Sequence, residues 1–240
     1  MAAQVWIVTL SAIVKRNPSD FLSPDERDRA ARFQNPVDQA RYIHAHAALR
    51  LLLAARLRCA PADLTFARTP NGKPVLENSP LRFNLSRSGD RIVVGIADAE
   101  IGVDTEEIVS DGDHDSVARR EFSPTEIDWM NSAPESERLR RFYRLWVVRE
   151  ALAKAQGTGL SVPASALLLD IVDDCPQPRA RLEWCAHETA DGRFTTAAVL
   201  PPSASLQWND TLWEELADPL VTNSRRERTP TARRSSRPTR

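Results

Sequence analysis

A β-branched apolar run from Val5 to Leu10 predicts a strand. The polar stretch after it ends in Ser23-Pro24-Asp25-Glu26, which reads as an N-cap with proline at the first helical position. A first helix is therefore expected to about Phe33. A second, longer one should run from Val37 to about Arg58, rich in Ala and Leu, with Leu49, Leu52 and Leu53 on its apolar side. Asn71-Gly72 marks a turn. Arg82 to Ser86 and Arg91 to Ala97 then flank Ser88-Gly89-Asp90 as the arms of a hairpin.

Beyond Glu106 an acidic stretch reads as loop through Asp115, and the order of elements begins again. Phe122-Ser123-Pro124-Thr125-Glu126 repeats Leu22-Ser23-Pro24-Asp25-Glu26 at an offset of one hundred residues, and Arg141-Phe142 stands at that offset from Arg41-Tyr42. The helix holding Glu150 falls in the same way on the helix holding Arg50. Arg181 to Cys185 and Arg193 to Val199, separated by Asp191-Gly192, are expected to match the earlier hairpin strands. A single Ser-Pro-x-Glu signal recurs by chance at helix starts. A strand, two helices and a hairpin recurring at one spacing predict an internal duplication. The fold class is thus α+β, a pseudodimer of two similar halves packed about a pseudo-twofold axis with a cleft between them. The expected partition is residues 1–103, residues 104–221 and a tail, 222–240.

With 240 residues, 42% of them apolar and 27% charged, the chain can bury a substantial core and has the composition of a soluble globular protein. Its 6% aromatic content argues against a base-stacking surface for nucleic acid. Cys59, Cys175 and Cys185 are too few and too scattered for a disulfide framework or a zinc cluster, which suits a reducing cytoplasm. The apolar run near the start is shorter than a signal core, and no stretch reaches membrane-spanning length. A soluble, cytoplasmic protein without a membrane partner is expected. The net charge of −1 conceals a segregation, because residues 222–240 hold seven arginines and one glutamate. That tail has almost nothing to bury and is expected to be disordered. It reads first as a solvated extension and second as an anion-binding arm.

The candidate chemistry lies elsewhere. Asp104 and Glu106 sit two apart in a predicted strand, Gly102-Val103-Asp104-Thr105-Glu106, so their carboxylates share a face and suit a hard cation such as Mg²⁺. Trp146, Glu150 and Lys154 recur at four-residue spacing on one helix face. Taken alone, Glu150 and Lys154 are equally a helix-stabilising ion pair, and the acidic strand end is equally a solvated one. Upstream, Gly72-Lys73-Pro74 and Phe83-Asn84-Leu85-Ser86-Arg87-Ser88-Gly89 offer donors and positive charge at turns, a pattern that also serves ordinary hairpins. Asp111, Asp113, His114 and Asp115 lack calcium-loop spacing, and His44 and His46 fall on different helix faces.

In order, GKP, FNLSRSG, GVDTE and WVVREALAKAQGTGL resemble the motifs of the Sfp-type 4'-phosphopantetheinyl transferases, roughly GKP, FNxSHSG, (V/I)GxDxE and WxxKExxxK. The resemblance extends over residues 22–163. It implies the two-half fold, coenzyme A and Mg²⁺ in the cleft, and transfer of phosphopantetheine to a serine of an acyl, aryl or peptidyl carrier protein. Carried over by position, Asp104, Glu106 and Glu150 would hold the metal. Glu150 would serve as the base, directly or through a metal-bound water, and Lys154 would stabilise the phosphate under attack. Arg50, Lys73, Ser86 and Arg87, with Arg41 beside them, would grip the coenzyme A phosphates. Two positions depart from the family pattern: Arg87 stands for its His and Arg149 for its Lys. The chain is expected to act as a monomer, with nucleic acid not an expected partner. A coenzyme A-binding protein without transfer chemistry and a nucleic-acid binder working through the tail are the alternatives.

Overall fold

In the computed structural model, residues 2–10, 16–158 and 167–218 are described; the arginine-rich tail lies outside them. The elements are β1 (Ala2–Thr9), α1 (Pro24–Ala30), α2 (Pro36–Leu57), β2 (Phe66–Arg68), β3 (Pro74–Leu76), β4 (Arg82–Ser88), β5 (Arg91–Ala97) and β6 (Gly102–Glu107), followed by α3 (His114–Glu121), α4 (Pro124–Asn131), α5 (Glu135–Gln156), β7 (Leu169–Val172), β8 (Cys175–Pro178), β9 (Cys185–Ala190), β10 (Phe194–Leu200), β11 (Ser205–Leu212) and α6 (Trp213–Ala217).

Both Ser-Pro signals start helices by the same device. Ser23 Oγ accepts from Glu26 N at 3.2 Å while the Glu26 carboxylate accepts from Ser23 N at 3.0 Å. Ser123 and Glu126 repeat this reciprocal capping box at 3.4 and 2.6 Å. The repeat continues into the long helices. α2 and α5 each have 22 residues. Arg50 reaches back from α2 to Glu26 at 2.6 Å, and Arg149 reaches back from α5 to Glu126 at 2.7 Å. The counterpart of Arg50 is therefore Arg149 and not Glu150, because the connection into α5 is one residue shorter than the uniform offset of one hundred assumes.

The sheets repeat as well. One has the order β11-β1-β5-β4 and the other β6-β10-β9. In each, the first strand of its half pairs antiparallel with the second arm of a hairpin, β1 with β5 and β6 with β10. The central strands are buried on both faces, and alternate residues go to different cores. Ile92, Val94 and Ile96 of β5 pack with Leu49, Leu52 and Leu53 of α2. Ala197 and Val199 of β10 pack with Val148, Ala151 and Leu152 of α5. The residues between them, Val93 and Ala97 of β5 with Ala198 and Leu200 of β10, meet Val5, Ile7 and Val103 in a third core that joins the halves. The sheets thus face each other, with one long helix outside each.

Three features differ from the sequence reading. β11 pairs parallel with β1, so a strand from near the end of the described chain completes the first sheet. Residues 181–183 are a turn, with Glu183 N and Trp184 N both donating to Ala180 O, and the strand begins at Cys185. Leu182 is 98% exposed and has no face to bury, so the segment does not join the sheet. The acidic loop ends before Asp115: Asp113 accepts from Ser116 N at 3.1 Å and caps α3.

Candidate active site

Asn84, Ser86 and Ser88 lie at alternate positions of β4, and all three side chains reach β6 of the other half. Asn84 Oδ1 accepts from Val103 N at 2.9 Å, Ser86 Oγ donates to Asp104 Oδ1 at 2.7 Å, and Ser88 Oγ donates to Glu106 Oε2 at 2.9 Å. The Asn-x-Ser-x-Ser spacing is thus a side-chain zipper between two strands that belong to different sheets. It fixes the height at which each carboxylate of β6 stands.

α5 is seated on the same strand through a missing side chain. A Cβ on Gly102 would stand 1.9 Å from Ala151 O and 2.4 Å from Ala155 N, so only glycine lets the helix backbone rest directly on β6. That contact sets Glu150 and Lys154 opposite Asp104 and Glu106. Lys154 Nζ donates to Asp104 Oδ1 at 2.5 Å and to Ser86 Oγ at 3.2 Å.

The resulting groove, roughly 600 Å³, is lined by Ser86, Arg87 and Ser88 from the first half and by Asp104, Glu106, Trp146, Glu150 and Lys154 from the second, with Asp38 and Arg41 at the start of α2. Burial pushes the Glu106 carboxyl up to about 7, and the neighbouring Asp104 charge adds to the rise. Burial, then Asp104, also raises Glu150. Carboxylates crowded in this way favour a bound cation. Asp104 Oδ2 is buried with no hydrogen-bond partner, an unsatisfied acceptor that a metal would fill. The donors are hard oxygens of the kind Mg²⁺ takes. Among the described residues no group of three or more His, Cys, Asp or Glu is gathered at ligand distance; Lys154 occupies the other oxygen of Asp104.

Seven of the nine site residues expected from sequence line this groove, and two, Arg50 and Lys73, stand elsewhere. Arg41 lines the groove and lies 3.5 Å from Asp38. Arg50, 2% exposed, spends its guanidinium on Glu26 and on the carbonyls of Pro61 and Leu64. These contacts tie α2 to α1 and to the segment before β2, and leave Arg50 at the wall of a second cavity. Lys73 points to the C-terminal end of α5, where its ammonium meets Glu100 and two carbonyls.

This second cavity, of roughly 560 Å³, which Leu85 borders as it does the groove, carries Arg29, Arg50, Arg68, Tyr42, His46 and Phe66. The Arg29 guanidinium lies 5.7 Å from the centre of the Tyr42 ring. Sequence reasoning passed over Arg29, which reads as one more charge on a solvated helix; its pairing with an aromatic residue thirteen positions away is a tertiary fact.

Two family profiles cover nearly all of this architecture. The N-terminal profile of the 4'-phosphopantetheinyl transferases matches residues 16–99, and that of the 4'-phosphopantetheinyl transferase superfamily matches residues 100–200. The chain belongs to the 4'-phosphopantetheinyl transferase superfamily. It is 35% identical over 220 residues to a Synechocystis sp. protein, slr0495, named as a candidate 4'-phosphopantetheinyl transferase, covering 89% of this chain and 86% of that one. HetI of Nostoc sp. is 34% identical over 58% of this chain and 61% of its own length. Sfp of Bacillus subtilis is 28% identical over 64% and 68%.

Proposed function

We propose that this protein transfers the 4'-phosphopantetheine group of coenzyme A to a serine hydroxyl of an acyl or peptidyl carrier protein and releases adenosine 3',5'-bisphosphate. The observation that supports it most is the convergence of Asp104, Glu106, Glu150 and Lys154 with Ser86 on one groove built from both halves. The family membership sets the reaction class, and the groove has the size of a small-molecule site.

Asp104, Glu106 and Glu150 would hold Mg²⁺, which supplies positive charge to the pyrophosphate. The serine oxygen forms a bond to the phosphorus that carries pantetheine, the bond from that phosphorus to the bridging oxygen breaks, and the nucleotide bisphosphate leaves. Glu150, its affinity for protons raised by burial, takes the serine proton. Lys154 moves from Asp104 to the phosphate oxygens that gain charge during attack. Arg87, exposed on the groove, and Arg41 hold the remaining phosphate by forked hydrogen bonds. The second cavity, with three arginines and the rings of Tyr42, Phe66 and Phe83, would take the nucleotide end.

The three cysteines are free, as a reducing cytoplasm requires, and no helix among the described residues is long and apolar enough to cross a membrane. A monomer suffices, since one chain supplies both sides of the groove. The deciding experiment incubates the protein with coenzyme A, Mg²⁺ and apo carriers from fatty acid, polyketide and peptide assembly. Mass spectrometry should find a phosphopantetheine adduct on the carrier serine. No adduct on any of the carriers would rule the reading out.

A further inference from the structure

The sequence contains three lysines, and two of them bear on the last turn of α5: Lys154 belongs to it and reaches Asp104, and Lys73 meets it from outside. Lys73 sits in the turn between β2 and β3, which is closed by Thr69 N donating to Lys73 O at 2.9 Å and Lys73 N donating to Thr69 Oγ1 at 3.1 Å. Its side chain, 9% exposed, crosses to the other half. Nζ donates to Glu100 Oε2 at 2.7 Å, Ala155 O at 3.0 Å and Ile101 O at 3.4 Å. These three partners use all three of its donors. Ala155 O is one of the final carbonyls of α5 that no amide in the helix can satisfy, and a cation at a helix C-terminus also opposes the helix dipole. Glu100 in turn holds Arg82 Nε at 2.8 Å, which ties the ammonium to the start of β4.

From this geometry we infer that Lys73 is a positioning residue: it pins the last turn of α5 so that Lys154, one residue before Ala155, points into the groove. This inference rests on the transferase reading. Lys73 touches no lining residue of the groove among those that carry charge, and its effect passes through the helix. Removing it frees the last turn to fray, which moves Lys154 while leaving the phosphate-holding arginines in place.

Lys73→Met separates positioning from phosphate binding. The expected result is a transfer kcat lowered about tenfold or more, with the affinity of Mg²⁺–coenzyme A measured by calorimetry changed less than about twofold. A tenfold loss of coenzyme A affinity, or a kcat equal to that of the unmodified protein, would overturn the inference. Should the variant not fold, the unmodified protein gives the answer through acetylation with an amine-reactive ester, mapped by mass spectrometry. Lys154 should react and be protected by Mg²⁺–coenzyme A, whereas Lys73 should react slowly whether or not coenzyme A is present. Fast acetylation of Lys73, blocked by coenzyme A, would make it a ligand of the substrate. A wild-type protein that modifies no carrier would remove the transferase reading, and the labelling of Lys73 would still report on its contact with α5.

Discussion

The two halves share a frame and divide the chemistry. Each has a Ser-Glu capping box whose glutamate also receives a buried arginine from a 22-residue helix, Glu26 with Arg50 and Glu126 with Arg149. Aligned end to end, the helices set Leu51 against Glu150 and Ala55 against Lys154, so at these two positions only α5 carries charged groups. The strands divide in the same way, since β1 has no carboxylate and β6 has three. The hairpins divide in reverse: Ser86, Arg87 and Ser88 of β4 line the groove, and β9 sends nothing to it. A duplicated scaffold has kept its packing in both copies while the site uses one face of each.

The largest effect should follow removal of a carboxylate from the second half. Asp104→Ala or Glu150→Gln is expected to lower transfer by about a thousandfold, the scale of losing a group that acts on charge in the transition state. Leu51→Gln, the matching change in the first half, should alter kcat by less than about twofold once the folded fraction is equal. A transfer assay on the three variants checks this, and equal losses would abolish the division between halves.

Next come the paired arginines. Both side chains are 2% exposed, and breaking a buried ion pair by removing one partner costs about 3–5 kcal/mol. At about 2–4 °C per kcal/mol for a chain of this size, Arg50→Met and Arg149→Met should each lower the melting midpoint by roughly 10 °C. Their activities should differ. Arg149 precedes Glu150 on the helix, so its loss should also reduce kcat at a temperature where both variants are folded, while Arg50→Met keeps it. Calorimetry with a transfer assay separates the two.

That pairing also shows what the sequence could and could not reveal. The capping boxes, the long helices, the β4–β5 hairpin and the motif order were legible because each depends on neighbours within a few residues. The tertiary contacts of Arg50 and Lys73 were not. A buried arginine that anchors a helix and an arginine that binds phosphate have the same letter, and only the distance to Glu26, 24 residues away, distinguishes them. Ser86 was expected as a site residue and Ser88 only as part of a turn; neither was legible as a zipper to β6, since their partners lie 18 positions on. β11 escaped because its parallel pairing with β1 joins opposite ends of the described chain.

A titration tests the crowding of carboxylates in the second half. Glu106, raised from 4.5 to about 7, keeps a proton in the metal-free fold between those values that the unfolded chain releases. Its contribution to stability is therefore greatest below pH 4.5 and is lost as pH rises to about 7. Mg²⁺ displaces that proton, so its affinity should fall about tenfold per pH unit below 7. Calorimetric Mg²⁺ titrations at pH 5.5, 6.5 and 7.5 measure the slope; a flat profile would exclude Glu106 as a ligand. In the first half Glu26 has the opposite sign: burial raises it, but hydrogen bonds from His46, Ser23 and Arg50 outweigh this and hold it at about 2. Its stabilisation is complete above pH 4.5 and disappears as pH falls towards 2. Arg87→Ala, on the first half's contribution to the groove, should raise the coenzyme A KM about tenfold with little change in kcat, as a lost charge-assisted hydrogen bond does. An unchanged KM would remove Arg87 from phosphate binding.

The smallest effect is expected where the halves resemble each other most. At the hairpin tips Arg91 pairs with Asp191, and Arg193 pairs with Asp90 at 2.9 Å, so each half offers an arginine to the other's aspartate as in a symmetric dimer. The two clasps differ in burial. Arg91 is 9% exposed and lies 4.1 Å from the centre of the Phe194 ring, whereas Arg193 is 56% exposed and divides its guanidinium between Asp90 and Glu107. Solvent screens the second clasp, so Arg193→Ala should shift the melting midpoint by less than about 2 °C. Arg91→Ala strips a desolvated cation from both an aspartate and an aromatic face and should shift it at least about twice as far. Equal shifts would mean that the reciprocal pairing, not burial, sets the strength of the contact between the halves.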